Sequence, residues 1–321
     1  MVASSPSIRD RRNMSQFSTQ RERRLTPARL LTAPFPRASH LPRPEQSQEN
    51  DAIDTFVRGL NGRDPREAPP LLDRSLRPTN PSVTVVIPTL NEARNLPYAM
   101  WRLPDCVSEV IVVDGRSSDD TALAAVLMRE DVRVVMEPTK GKGAALKRGF
   151  NEASGDIIVM LDADGSADGG ELERFIDVLV AGADFAKGSR FLPGGGSADL
   201  TRIRTLGNRT LTAIVNLICQ TRFSDLCYGY NAFWRDCLQF VDVDVSGFEV
   251  ETRLMMSVAS AGLVMVEVPS WEYNRVHGTS NLRAVHDGLR VLRSIAKTGK
   301  EIRKGRRSVR SQPLGVRTGS R

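Results

Sequence analysis

The stretch IIVMLDADGS, Ile157 to Ser166, runs five apolar residues directly into two aspartates and a glycine. A continuous apolar run rich in branched residues is typical of a strand that is buried on both faces of a sheet. Asp162 and Asp164 follow at the point where that strand should end, separated by one alanine. Any fold that contains this strand therefore places two carboxylates at its end.

The same pattern recurs along the chain. Val83–Ile87 and Val110–Val113 are further apolar runs, and segments with helical character separate them. This alternation predicts an α/β fold with a mostly parallel central sheet and helices on both faces. Ligands of such sheets bind beyond the carboxyl ends of the strands. We therefore expect Pro88–Glu92, Asp114 and Asp162–Asp164 to meet in one crevice.

Charge and composition divide the chain of 321 residues into three parts. Residues 1–80 hold 10 of the 18 prolines and 14 arginines with little hydrophobic periodicity, which predicts a mostly disordered segment. Residues 297–321 hold 9 Lys and Arg against 1 Glu and are expected to form a basic, disordered tail. The predicted folded domain, 81–296, is acidic. Nucleic acid is not an expected partner, because a domain that binds it carries positive charge on its folded surface.

The sequence favours a cytoplasmic location. Its four cysteines have no zinc-type spacing, and no signal-peptide pattern opens the chain. No apolar run approaches the roughly 18 residues that a membrane-spanning helix needs. Any membrane contact is therefore expected to be peripheral, at the inner face. The basic tail is either solvated or drawn to anionic lipid headgroups or nucleic acid.

The two aspartates suggest a metal. Carboxylate oxygens suit the hard divalent cations Mg²⁺ and Mn²⁺, and Mg²⁺ typically takes one or two carboxylates together with substrate phosphates. A turn through Gly165 would let both side chains reach one ion. The pair thus indicates a site for a metal–diphosphate complex, and the alternative is a solvated loop in which the aspartates only cap neighbouring structure.

Six motifs between residues 83 and 295 carry a more specific signal. They are VVIPTLNEARNL, EVIVVDGRSSDDT, GKGAALKRG, DADGS, KGSRF and WEYNRVHGTSNL. In order and spacing the sequence resembles the family 2 glycosyltransferases of the GT-A fold. More narrowly, it resembles their polyprenyl-phosphate branch, which includes the dolichyl-phosphate mannose synthases. Each motif alone is weak, and the six in order are specific.

The resemblance implies an inverting, metal-dependent transfer of a sugar from a nucleotide-diphosphate sugar to an acceptor, with a polyprenyl phosphate as one candidate. The implied metal, Mg²⁺ or Mn²⁺, is held by Asp162 and Asp164, and Asp164 and Arg190 act at the diphosphate, where positive charge would stabilise the leaving group. The implied nucleotide-binding residues are Pro88, Asn91, Glu92, Asp114, Lys142 and Asp162.

The acceptor side departs from the family pattern. In SDLCYGYNAFWR, Asp225 matches an acidic position of the branch, and it is either a general base for a hydroxyl acceptor or a residue that orders a loop. Asn281 stands where the family usually has lysine, and His277 is a candidate to replace part of that function. A helix opening with Arg202, Arg204 and Arg209 suits either an acceptor phosphate at a membrane surface or ordinary packing.

Two other classes of protein share some of these features. A nucleotidyltransferase also pairs carboxylates with basic residues, but it would have a loop rich in Gly, Arg and Lys where this chain has PTLNEARN. A degenerate GT-A domain that serves as a lipid or protein adaptor is the second alternative, and the intact pair of aspartates argues against it.

Overall fold

A computed structural model describes residues 72–241, 243–279 and 284–310. Their strands are β1 (Val83–Thr89), β2 (Val107–Asp114), β3 (Arg133–Met136), β4 (Ile157–Met160), β5 (Phe185–Ser189), β6 (Gly196–Ser197), β7 (Asn231–Trp234), β8 (Met265–Pro269) and β9 (Trp271–Glu272). Their α-helices are α1 (Leu96–Met100), α2 (Thr121–Met128), α3 (Lys142–Glu152), α4 (Leu172–Val180), α5 (Arg202–Cys219), α6 (Val250–Ala261) and α7 (Ala284–Arg310).

Within the described residues, seven strands form one sheet in the order β3-β2-β1-β4-β7-β5-β8. All neighbouring pairs are parallel except those of β7, which runs antiparallel to both β4 and β5. A second, two-stranded sheet joins β6 and β9. The predicted α/β fold with a mostly parallel sheet is confirmed, and the antiparallel β7 is a strand of this sheet that the sequence pattern did not indicate.

The central strands are buried because their residues are apolar on both faces. Ile157–Met160 of β4 is at most 1% exposed, and Val85, Val86 and Ile87 of β1 are fully buried. Phe233 of β7 stacks on Phe185 with ring centroids 5.3 Å apart. Burying each such side chain contributes roughly 1.5–3 kcal/mol, so this layer is a main source of the fold's stability.

The register of the sheet brings the predicted polar segments to one edge. Thr89 at the end of β1 pairs with Asp114 at the end of β2, and Val86 of β1 pairs with Met160 of β4. Because these three strands are parallel and adjacent, the loops that follow them leave the sheet side by side. The polar segments that were expected to form a crevice therefore lie next to one another beyond β1, β2 and β4.

The folded domain begins before residue 81, where the sequence analysis placed its boundary. Leu72 is 7% exposed, and the guanidinium of Arg74 binds both carboxylate oxygens of Asp184 at 2.9 and 2.6 Å. Arg77 binds Asp184 at 2.8 Å and Asp236 at 2.9 Å. Asp184 is fully buried, and a buried carboxylate requires such partners. The predicted disorder of residues 1–71 lies outside the described residues.

The domain also extends past residue 296, the predicted start of the tail. Helix α7 continues to Arg310, and Thr298 on it is 4% exposed. Arg253 of α6 donates to Thr298 at 2.8 Å and pairs with Glu301 at 3.0 Å. These contacts to α6 hold residues that charge alone assigned to a disordered tail, whereas residues 311–321 lie outside the described part.

Candidate active site

The loops after β1 and β2 are joined by side-chain hydrogen bonds to backbone amides. Asn91 has a left-handed backbone with φ of 57°, and its Oδ1 accepts from the Ser118 amide at 2.8 Å. Oδ1 of Asp114 accepts from the Ser117 amide at 2.8 Å. Pro88 lies within β1 opposite Val113. Of the predicted nucleotide-binding residues, Asn91 thus joins the two loops and Asp114 orders the second of them, and together the loops form one wall at this edge of the sheet.

Glu92 connects this wall to a distant loop. It is 7% exposed, and its Oε2 accepts from Asn95 Nδ2 at 2.7 Å. Its Oε1 binds Nη2 of Arg275, which lies in the loop after β9. Nη1 of the same Arg275 lies 3.6 Å from Oδ2 of Asp164. One arginine therefore bridges two of the predicted site carboxylates.

The two aspartates after β4 are held in different ways. Lys142 at the start of α3 places its Nζ 2.5 Å from Oδ1 of Asp162. Oδ1 of Asp164 accepts from the Ser166 amide at 3.0 Å, and the turn passes through Gly165 with φ of 74°. The side chains of Asp162 and Asp164 remain 35% and 26% exposed. Both carboxylates are thus fixed and still accessible from the crevice.

The ammonium of Lys142 is shared between two acids. Its second partner is Oε1 of Glu251 on α6, at 2.6 Å. Burial would lower the pKa of Lys142, but the charges of Asp162 and Glu251 outweigh it and raise that pKa above its ordinary value. Burial raises the pKa of Glu251, and Lys142 counteracts this effect. Lys142 is therefore a permanent positive charge beside Asp162.

The loop at residues 273–278 covers the turn of the two aspartates. The Tyr273 amide donates to the Ser166 carbonyl at 2.7 Å. The His277 amide donates to Asn95 Oδ1 at 2.8 Å, and the His277 ring meets Tyr98 edge-on at 5.8 Å between centroids. Burial lowers the pKa of His277, which favours the neutral ring. Asn281, which stands where the family usually has lysine, lies outside the described residues.

Arg275 is a site residue that the sequence analysis did not single out. It belongs to the quoted motif WEYNRVHGTSNL, and a basic residue within a family motif is a signal from which a phosphate-binding role could have been predicted. Its partner Glu92 is 183 positions away in the chain, and nothing local in the sequence indicates that pairing.

Arg190 and Asp225 form a separate, buried cluster. Nε and Nη2 of Arg190 bind the two oxygens of Asp225 at 2.7 and 3.0 Å, and Nη1 binds Glu272 at 3.0 Å. Asp225 is fully buried and also accepts from Asn208 Nδ2 at 3.0 Å. Burial would raise the pKa of Asp225, but Arg190 chiefly lowers it below its ordinary range.

These contacts bear on both predicted roles. The Arg190 guanidinium is 6% exposed and lies 4.9 Å over the Tyr228 ring. Every oxygen of Asp225 already accepts hydrogen bonds, so the contacts favour the alternative in which Asp225 orders its surroundings. Action of Arg190 at a diphosphate and of Asp225 as a base stay predictions.

The donor atoms at the crevice suit a hard divalent cation. Asp162 and Asp164 offer accessible carboxylate oxygens, which are the ligands that Mg²⁺ and Mn²⁺ prefer. Over the described part of the chain, no group of three or more His, Cys, Asp and Glu side chains is placed to hold an ion. A metal at these aspartates would therefore take further ligands from a bound substrate, as Mg²⁺ usually does.

A mostly parallel sheet with paired carboxylates beyond its strand ends is the arrangement expected of the GT-A fold. Among solved structures, glucosyl-3-phosphoglycerate synthase from Mycobacterium tuberculosis, crystallised with Mn²⁺, uridine diphosphate and glucosyl-3-phosphoglycerate, aligns with a TM-score of 0.56. It is 24% identical, and the alignment covers 68% of this chain and 80% of that one. At this identity the likeness establishes the fold.

Sequence comparison gives the family. The family model described as Glycosyl transferase family 2 matches residues 84–241. The polyprenol monophosphomannose synthase of Mycolicibacterium smegmatis is 34% identical over 221 residues, which cover 65% of this chain and 83% of that protein. The undecaprenyl-phosphate mannosyltransferase of Micrococcus luteus is 33% identical over 212 residues, covering 62% and 87%. The chain belongs to glycosyltransferase family 2 and resembles its polyprenyl-phosphate mannose synthase-like branch, which confirms the predicted resemblance.

Proposed function

We propose that this glycosyltransferase moves a sugar from a nucleoside-diphosphate sugar to a polyprenyl phosphate, with inversion at the sugar carbon. The observation that carries the proposal is the meeting of Asp162 and Asp164 beside Lys142 and Arg275 at the carboxyl edge of the sheet. Carboxylates for a metal and cations for phosphates are what a diphosphate leaving group requires. Relatives named as polyprenyl-phosphate mannosyltransferases support the substrate classes.

The donor would lie across the wall of the crevice. Asn91, Glu92 and Asp114 border the space beyond β1 and β2 and are proposed to contact base and ribose, with Pro88 at its floor. Asp162 and Asp164 are proposed to hold Mg²⁺ or Mn²⁺, and the Mn²⁺ and uridine diphosphate bound to the structural neighbour support this choice. The metal would neutralise charge that develops on the diphosphate as the sugar leaves.

The chain's own cations would share that task. Arg275 is proposed to turn from Glu92 and Asp164 toward the diphosphate when a donor binds, since its guanidinium already lies between the crevice wall and Asp164. Lys142 stays beside Asp162. A phosphate acceptor is already a nucleophile and needs no general base, which fits the full hydrogen bonding of Asp225.

Helix α5 is the proposed site of contact with a lipid acceptor. Its Ile203, Leu206 and Leu217 are 74%, 68% and 83% exposed. Arg202 and Arg209 line a cavity of about 240 Å³ with Leu206. Apolar side chains beside arginines suit an interface that holds an isoprenoid and its phosphate at a membrane surface. The membrane association that we propose is peripheral and made through α5. In the described residues no helix has the length and apolarity to cross a membrane.

The test is turnover of a panel of nucleotide sugars with Mn²⁺ or Mg²⁺, with and without a short polyprenyl phosphate. UDP-glucose, UDP-GlcNAc, GDP-mannose and dTDP-sugars would be compared in the wild type, in Asp164→Asn and in Asp156→Asn. Asp156 lies at the opposite end of β4 and bonds Ser82 at 2.9 Å, so it is a matched control. One donor should react, faster with the lipid, and only Asp164→Asn should abolish the reaction.

The other outcomes separate the alternatives. Donor turnover that is indifferent to the lipid would keep the glycosyltransferase and refute the polyprenyl-phosphate acceptor. Binding of lipid without turnover of any donor would favour the non-catalytic adaptor. Incorporation of a nucleotide rather than a sugar into product would favour a nucleotidyltransferase.

A further inference from the structure

Glu251 is a buried acid that none of the roles above uses. It lies in the first turn of α6 and is 5% exposed. Its Oε1 is 2.6 Å from Nζ of Lys142, and the same Nζ is 2.5 Å from Oδ1 of Asp162. A single ammonium group therefore links a carboxylate of the helix to a carboxylate of the crevice.

The glycines on either side of Lys142 create this link. A Cβ at Gly141 would lie 2.0 Å from the carbonyl oxygen of Ser246, and one at Gly143 would lie 2.0 Å from that of Val245. The Gly143 amide donates to the Ser246 carbonyl at 2.9 Å. Only glycine permits this approach. The start of α3 is thus pressed against the segment that leads into α6, which places Glu251 over Lys142.

Gly229 closes the other side of the arrangement. A Cβ on it would lie 2.6 Å from Oδ2 of Asp162 and 3.0 Å from Nζ of Lys142. The ammonium group of Lys142 therefore lies at Oδ1 of Asp162, and the backbone of Gly229 lies beside Oδ2. Its orientation depends on where the ammonium group is held.

From this geometry we infer that Glu251 is a positioning residue: it holds Lys142, and through Lys142 it orients Asp162 for a metal–nucleotide complex. The role rests on the proposed function. Without the second carboxylate, the ammonium would pair with Asp162 alone and offset its charge fully. Partners that orient a ligand-bearing side chain typically change affinity by about 10- to 100-fold when they are removed.

The variant is Glu251→Gln, which keeps the shape of the side chain and removes its charge. Mn²⁺ binding would be followed by electron paramagnetic resonance, alone and with UDP or GDP. We expect the apparent Kd of the Mn²⁺–nucleotide complex to rise about 10-fold. In a double-mutant cycle, Glu251→Gln should add nothing to the loss caused by Asp162→Asn, because both act through one carboxylate.

The matched control is Glu249→Gln, two residues earlier. Glu249 also pairs with a cation at 3.1 Å, but that cation is Arg290 of α7 and not Lys142. In Glu249→Gln the apparent Kd of the Mn²⁺–nucleotide complex should stay within about twofold of the wild-type value. Gly229→Ala is a second variant, in which the added Cβ displaces Asp162 directly, and it should weaken binding in the same way. Circular dichroism would verify that each variant is folded.

Two results overturn the inference and are distinguishable. Unchanged affinity in Glu251→Gln, or losses that add to those of Asp162→Asn, would show that Glu251 only supports the fold. A wild type that binds neither Mn²⁺ nor nucleotide would refute the proposed function and this role with it. The inference is supported if Glu251→Gln weakens Mn²⁺–nucleotide binding, adds nothing to the loss in Asp162→Asn, and Glu249→Gln leaves binding unchanged.

Discussion

Replacement of Asp225 by alanine separates structural from catalytic roles of the buried cluster. The substitution leaves Nε and Nη2 of Arg190 without the carboxylate that they bind at 2.7 and 3.0 Å. Asn208 also loses its partner at 3.0 Å. Of its carboxylate partners, Arg190 would keep Glu272 alone, at 3.0 Å. Because the guanidinium is almost fully buried, water cannot replace what is lost.

The expected cost follows from that burial. Removal of one member of a buried ion pair typically destabilises a protein by about 3–5 kcal/mol, and Asp225→Ala should fall in this range. The control is Asp199→Ala, which removes a carboxylate 2.5 Å from Arg204, with side chains 37% and 25% exposed. An exposed pair of this kind should contribute less than about 1 kcal/mol.

The measurement is the free energy of unfolding in urea, followed by circular dichroism, beside the rate of sugar transfer. If Asp225 is a base, Asp225→Asn should lower the rate about 10²- to 10⁴-fold while the unfolding free energy changes little. That combination would refute the structural role. A large loss of stability in Asp225→Ala, with residual transfer in folded Asp225→Asn, would support it.

Three further predictions follow from other contacts. Burial would raise the pKa of Glu109, but hydrogen bonds led by Thr84 lower it to about 2 from near 4.5. The ionised carboxylate therefore stabilises the fold above pH 4.5, and this contribution is lost as the pH falls toward 2. Glu109→Gln should consequently flatten the acid side of a plot of the urea unfolding midpoint against pH. Gly149→Ala places a Cβ 2.2 Å from a methyl group of β1 and should lower the free energy of unfolding by about 1–3 kcal/mol. Gly207→Ala adds a Cβ on a helix with nothing within 4 Å and should raise that free energy by up to about 1 kcal/mol. Thermal unfolding of both variants would measure the two changes. Arg275→Ala should raise the donor KM about 10-fold or more through loss of a charged contact, and an unchanged KM would contradict its proposed place at the diphosphate.

Much of the fold could be predicted because its signals are local. The apolar runs of β1, β2 and β4 are long enough to indicate buried parallel strands, and each ends at a polar segment that the structure places at the same edge of the sheet. Strand β7 escaped detection because its residues are not an apolar branched run, and it follows aromatic and small residues without clear alternation. Its antiparallel course between β4 and β5 depends on packing and not on local propensity.

The domain limits show the same distinction. Composition placed the boundaries at residues 81 and 297, since proline, arginine and lysine dominate beyond them. The structure extends the domain because Arg74 and Arg77 neutralise the buried Asp184 and Arg253 binds α7. From sequence alone, a charged residue is expected to face solvent. A buried partner of opposite charge can nevertheless hold it within the folded domain.

The sequence by itself determined the class of fold and the edge of the sheet at which Asp162 and Asp164 lie, because strand burial and residue type depend on local sequence. Only the tertiary structure decided which charges meet. Glu92 pairs with Arg275 across 183 positions, and Glu251 reaches Lys142 from another helix. Ion pairs act over a few ångströms in space whatever the separation along the chain, so their partners follow from packing alone.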